Sequence, residues 1–262
     1  MRKTIGMFHL TKRLLKIAKT YGLLSSTVAF AALAYLVLLT YPQPLFGYSA
    51  KYEHNFHVYS REPIPAEIQQ VLERAETKLQ ASPLYTDNFE RRLFLTGGWG
   101  IYAFLTNKAY RSFGSSVPLL DNIMLTKSDI ANDRMFVNRT DHDSRSLSGV
   151  IAHEVTHLLL RHRLGTLKAM MLPTWKNEGY CEYVAGESTI SLEEGIKRLR
   201  EDPRDDATYR YVKYHLMIKY LIEHEHMSVE QIMTSDLNEA ETAAKTLAAL
   251  QVLHGHGPLV VN

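Results

Sequence analysis

Ser148-Gly149-Val150-Ile151-Ala152-His153-Glu154-Val155-Thr156-His157-Leu158-Leu159-Leu160 is the stretch whose reading decides the fold. It carries His-Glu-x-x-His inside an apolar run with helical spacing. Residues four apart lie on one face of an α-helix, so His153 and His157 point the same way and can share a metal ion. Glu154 sits about 100° round the helix, within reach of a water on that metal without ligating it. Leu147, Val150, Ile151, Val155, Leu158 and Leu159 are expected to form the buried side. Asp141-His142-Asp143-Ser144 supplies residues that cap a helix start. Arg161, His162 and Arg163 fall at the other end, where positive charge complements the helix dipole. His162, five residues from His157, points away from the metal. The plainer alternative is two surface histidines flanking a glutamate on an ordinary helix; the apolar neighbours on both sides argue against it.

A zinc ion that does chemistry needs a third protein ligand and an open fourth position. The candidate lies in Pro173-Thr174-Trp175-Lys176-Asn177-Glu178-Gly179-Tyr180-Cys181-Glu182-Tyr183, where Glu178 comes 21 residues after His157. That gap allows the rest of one helix, a turn and the start of a second helix. Leu172 to Trp175 reads as the turn, and Glu178 to Val184 as the beginning of the second helix. Gly179, beside the candidate ligand, is read as leaving room for metal and substrate. Cys181 is a thiol whose offset from Glu178 turns it away from the metal.

His-Glu-x-x-His followed by a glutamate about twenty residues on, inside Trp-x-x-Glu-Gly, resembles the gluzincin branch of the zincin metallopeptidases, the thermolysin-like clan. The metzincin branch would require Gly at position 160 and His at position 163, where this chain has Leu160 and Arg163. The resemblance implies an α+β fold, a zincin-like domain with a small mixed sheet and a zinc helix followed by a helical part. It implies one zinc per chain held by His153, His157 and Glu178, with Glu154 as general base. By the same resemblance Glu182, one turn beyond Glu178, would hold the far nitrogen of His153; the alternative is a solvated helix residue. Tyr209, Tyr211, Tyr214 and His215 precede the apolar run Leu216–Ile222. That pattern resembles membrane-anchored, peptidase-MA-like proteins, in which a tyrosine or histidine donates to the oxyanion; Tyr211, then Tyr214, is the match. Aromatic residues that merely pack a helix are the alternative for each.

The N-terminus suggests a membrane segment. Residues 1–22 contain Arg2, Lys3, Lys12, Arg13, Lys16 and Lys19 and no acid, and residues 23–41 carry no charge. Nineteen uncharged residues span about 28 Å as a helix. The expected organisation is a basic cytoplasmic leader (1–22), a transmembrane signal anchor (23–41), a linker (42–54) and the metallopeptidase domain (55–262). Basic flanks stay cytoplasmic, so the localisation implied is single-pass, with the N-terminus cytoplasmic and the catalytic domain extracytoplasmic. Six of the 30 Lys and Arg precede residue 23, which leaves residues 42–262 with 24 against 28 Asp and Glu, a net of −4. No basic patch points to nucleic acid. The single cysteine, Cys181, excludes an internal disulfide.

Between linker and zinc helix, Phe56–Tyr59, Arg92–Thr96, Asn122–Thr126 and Arg134–Asn138 read as strands. A helix opened by Pro63-Ile64-Pro65 places Ile68, Val71, Leu72, Ala75 and Leu79 on one face. Ile101 to Tyr110 reads as helix or loop. One of the last two strands is the candidate edge for pairing with an extended substrate. Asn138-Arg139-Thr140 matches a glycosylation sequon. Further on, 202–206 reads as a loop, Ser235 to Leu253 as an amphipathic helix and His254 onward as a tail.

The expected activity is peptide-bond hydrolysis on a peptide or protein substrate. Two alternatives are a catalytically silent, membrane-tethered zinc module for binding or assembly, and a zinc hydrolase of non-peptide amides or esters.

Overall fold

Phe56, Val58 and Ser60 are buried while His57 and Tyr59, between them, are only partly so. This period-two pattern is that of a strand with one face on a core. The computed structural model describes residues 21–22, 24–107, 112–117, 120–137, 144–188, 190–201 and 207–254. The chain divides into two units, residues 1–45 and 46–262.

In the first unit, residues 21–22 and 24–40 are helical, α1. Ser25, Ser26 and Thr40 bond back onto the backbone near its two ends. Among the described residues no helix is long and apolar enough to cross a membrane. This corrects the expected transmembrane anchor at 23–41, the single-pass localisation drawn from it, and the fold class that placed a zincin-like α+β domain behind such a helix.

The second unit is mixed α/β with two sheets. Strands β1 (Tyr48–Lys51), β2 (Phe56–Ser60), β3 (Arg91–Leu95), β4 (Gly114–Ser116) and β5 (Asn122–Leu125) form a sheet ordered β1-β2-β3-β5-β4. The central pairs β2–β3 and β3–β5 are parallel, and the outer pairs antiparallel. His54 and Asn55, both left-handed at φ 55° and 58°, turn the β1–β2 hairpin. The parallel step from β2 to β3 is carried by α2 (Ile68–Gln80), whose Ile68, Val71, Leu72, Ala75 and Leu79 are buried as the spacing predicts. After β3 comes α3 (Trp99–Thr106), which begins two residues before the stretch read as helix or loop and overlaps it over 101–106. Strands β6 (Lys127–Asp129), β7 (Arg134–Phe136) and β8 (Ser144–Ser146) form a second, antiparallel sheet in that order.

The chain passes directly from β8 into α4 (Leu147–Leu164), the His-Glu-x-x-His helix. Its cap is Ser146, whose hydroxyl accepts from the Gly149 N–H at 2.9 Å, and not the preceding acidic run; Ser144 is strand. Thirteen of its 18 residues are buried, because α2 lies on one side and α6 on the other. A helix wrapped in this way has no polar outer face. Short α5 (Thr166–Met170) leads to α6 (Thr174–Ala185), which begins a turn earlier than expected, so Trp175 is a buried helix residue and not a turn. Then come α7 (Leu192–Glu201), α8 (Ala207–Lys219), a π-helical turn (Tyr220–His224), α9 (Val229–Thr234) and α10 (Glu239–His254). Helix α10 starts after Ser235 because Ser235 ends α9, and Asn238 accepts from the Glu241 N–H at 3.0 Å.

Helices α6 and α8 pack tightly at Gly179. A Cβ there would lie 2.6 Å from the Tyr214 carbonyl oxygen and 2.9 Å from the Ile218 side chain. Gly179 therefore serves helix packing rather than room for metal and substrate. The sequon at 138–140, the capping residues 141–143, the loop 202–206, the tail from 255 and the leader residues 1–20 lie outside the described residues.

Candidate metal centre

Helix α4 presents His153 and His157 one turn apart, with ring centroids 5.0 Å apart and planes at 77°. Helix α6 lies across them and brings Glu178 to both. Glu178 Oε2 is 3.3 Å from His153 Nε2, and Oε1 is 3.7 Å from His157 Nε2. The opposite ring nitrogens face polar groups of α6. Glu182 Oε1 lies 3.0 Å from His153 Nδ1, and Asn177 Oδ1 accepts from His157 Nδ1 at 3.0 Å. Cys181 Sγ is 3.3 Å from the same His157 Nδ1.

His153, His157 and Cys181 form a group whose ligand atoms lie within 4.8 Å of one another, which can hold a metal. Cys181 is thus not turned away from the histidines as its offset suggested. The contacts nevertheless favour Glu178 as the third donor. The sulfur contacts the Nδ1 edge of His157, already bonded to Asn177, whereas both Nε2 atoms face the carboxylate. Burial pushes the metal-free Cys181 thiol well up, and the nearby Glu178, Glu154 and Glu182 charges add to this. Four-coordinate zinc with bonds near 2.1 Å separates its ligand atoms by about 3.4 Å. The Glu178 to His153 distance matches that edge, and two imidazoles with one carboxylate are the donor chemistry of a catalytic zinc site.

Charge is concentrated here. Burial alone would lower His153, but Glu178 and Glu182 outweigh it and push the imidazole up to about 10. Burial prevails at His157, which is lowered. Both carboxylates fall to about 2 against the pull of burial: Glu178 through His157 and His153, Glu182 through Arg145 and His153. Metal-free His153, raised to about 10 beside Glu178 and Glu182, is mainly the charged imidazolium near neutral pH, and ligation requires that proton to leave. Zinc uptake near neutral pH is expected to release about one proton from His153 and none from His157, and zinc affinity should weaken as pH falls. A pH indicator in weak buffer reads the release; uptake without it would contradict this charge assignment.

Glu154 is 7% exposed and does not meet the imidazoles. Its Oε2 accepts from the Ser116 N–H at 2.6 Å. Ser116 belongs to β4, the edge of the five-stranded sheet, so the expected edge strand is corrected: β5 is interior and β7 is the middle of its own sheet. The other end of β4 is also engaged, since the Tyr102 hydroxyl donates to the Gly114 carbonyl at 2.8 Å. Arg161 donates to the Ser116 hydroxyl at 3.2 Å, which ties β4 to α4 a turn beyond His157.

No protein-family model and no curated protein matches the chain. The reading of the centre therefore rests on its own geometry.

Tyr211 lies on α8, is 37% exposed, and is raised to about 12 by burial and by the charges of Glu178, Glu182 and Glu154, so its hydroxyl keeps its proton. Tyr214, the second candidate, is buried at the α6–α8 contact. His215, one turn after Tyr211, is lowered to about 4, chiefly by burial. His162 pairs with Asp121 at 3.2 Å and stacks on Phe89, away from the other two histidines. Sequence reasoning missed Asn177, Ser116 and Arg145. Of these only Asn177 had a signal, its place directly before Glu178.

Proposed function

We propose that this chain is a zinc-dependent metallopeptidase that hydrolyses peptide bonds, with His153, His157 and Glu178 as metal ligands and Glu154 as general base. The observation that carries the reading is the turning of both Nε2 atoms to one carboxylate while Glu182 and Asn177 occupy the rear nitrogens. Such rear contacts fix the tautomer and orientation of ligating histidines. The gluzincin-like spacing of His-Glu-x-x-His and Glu178 supports the same reading.

Zinc, when bound, supplies a Lewis acid that lowers the pKa of a water towards 7 and polarises a scissile carbonyl. The Glu154 carboxylate takes a proton from the attacking water as its oxygen bonds to the carbonyl carbon. The same carboxyl then gives that proton to the departing amine nitrogen as the carbon–nitrogen bond breaks. The products are one carboxylic acid and one amine for each water consumed. Glu154 Oε2 also accepts the Ser116 N–H. The protonated Tyr211 hydroxyl supplies a donor for the negative oxygen that forms in the transition state.

A catalytically silent zinc module is the second reading, favoured by that same hold of Ser116 on Glu154. Digestion of a peptide library, read by mass spectrometry, separates the two. Cleavage that stops on chelation and returns with zinc supports the peptidase. An intact library beside zinc-loaded protein overturns it.

A further inference from the structure

The middle residue of β8, one before the helix cap, is an arginine whose charge lies inside the protein. The Arg145 side chain is 7% exposed and that of Glu182 is fully buried. Arg145 Nη1 donates to Glu182 Oε1 at 2.8 Å. Its Nη2 donates to the Glu187 carbonyl at 3.3 Å, and its Nε lies 3.6 Å from Glu187 Oε1. The guanidinium also sits 5.9 Å from the centre of the Phe113 ring. Glu187 in turn accepts from the Ser146 hydroxyl at 2.9 Å, the hydroxyl that caps α4.

A guanidinium held at several points presents its donors in fixed directions, which a lysine ammonium does not do, and here one of them holds a single oxygen of the partner carboxylate. The Glu182 oxygen that Arg145 grips is the one that faces His153 Nδ1. Any rotation of Glu182 would free the His153 ring to turn about its own bond. Without Arg145, the fully buried Glu182 carboxylate would lose its guanidinium and keep only His153 beside it, a costlier state that favours movement of the carboxylate.

We propose that Arg145 is a positioning residue of the metal centre: it fixes the Glu182 carboxylate and, through it, the orientation of the His153 ring. This rests on the zinc reading above. It makes β8 part of the centre's support, although none of its residues is a ligand, and it joins the cap of α4 to the ligand-bearing face of α6 through one side chain.

Zinc affinity of the full chain tests it, by competition with a chromophoric chelator, beside the visible spectrum of the cobalt-loaded protein and thermal unfolding of the metal-free form. Arg145→Gln is expected to fold and to weaken zinc binding by about 10–100-fold, the range for loss of a residue that orients a ligand, with an altered cobalt spectrum. Arg145→Lys should recover part of the affinity. A folded Arg145→Gln protein with wild-type affinity and spectrum overturns the proposal while leaving the zinc reading intact. Should Arg145→Gln fail to fold, the pair Arg145→Gln with Glu182→Gln, which removes both buried charges, decides. Affinity equal to that of Glu182→Gln alone supports action through Glu182, and a further loss overturns it. A wild type that takes up no zinc overturns this proposal and the proposed function together.

Discussion

Glu154→Gln is expected to bind zinc as the wild type does and to lose about 10²–10⁴-fold in kcat/KM on a peptide substrate, the range for removal of a positioned general base. The substitution keeps shape and removes only the ability to take and return a proton. The amide oxygen of the new side chain can still accept the Ser116 N–H that Glu154 Oε2 accepts now, so the edge strand should keep its place. The ligand atoms of His153, His157 and Glu178 do not involve Glu154, so metal content should hold. Measuring kcat/KM and zinc content on the same preparation separates loss of the base from loss of the metal. A zinc-loaded Glu154→Gln protein with wild-type activity would sink the base role.

Arg91→Met is expected to destabilise the second unit by about 3–5 kcal/mol, the cost of stranding a buried charge, read by urea unfolding. Arg91 is fully buried on β3 and donates to Glu76 of α2 and to the Thr86 carbonyl, at 2.8 Å in the latter case. Its guanidinium lies 5.0 Å from the centre of the Phe56 ring and 5.5 Å from that of Tyr85. Glu76 is 3% exposed, so methionine would leave its carboxylate without the guanidinium, with the Tyr85 hydroxyl, the Gln80 amide and His54 at 3.4 Å as its remaining partners. Replacing Glu76 by leucine in the same chain removes that stranded charge, and most of the lost stability should return. A single Arg91→Met variant within about 1 kcal/mol of wild type would mean that Glu76 is protonated or solvated.

The parts legible in the sequence are those with a strong local period. His153 and His157 at four-residue spacing fixed the site-bearing face of α4, and the spacing from Ile68 to Leu79 fixed the buried face of α2. Glu178 could be singled out because its distance in sequence matches a second helix crossing the first. Strand β4 could not, since Gly114-Ser115-Ser116 has no apolar alternation and owes its conformation to pairing with β5. Arg145 meets Glu182 only across 37 positions of chain, a contact that tertiary packing makes and no local pattern encodes. The acidic run at 141–143 suggested a cap because short polar side chains favour that role, yet β8 intervenes and Ser146 takes it. The uncharged run 23–41 suggested a membrane span by counting residues. Among the described residues no helix is long and apolar enough to be one.

Cys181 and Glu178 lie on the same helix, and both come near His157, so the identity of the third donor is the centre's most consequential assignment. The carboxylate is fixed by contacts to both imidazoles, while the thiol meets one ring on its rear edge. Zinc content of the purified full chain, measured by mass spectrometry beside the variants Glu178→Ala and Cys181→Ser, tests this most directly. The account predicts about one zinc per chain, held in Cys181→Ser and lost or much weakened in Glu178→Ala. No zinc in the folded wild type, or zinc that survives Glu178→Ala and departs with Cys181→Ser, would contradict it.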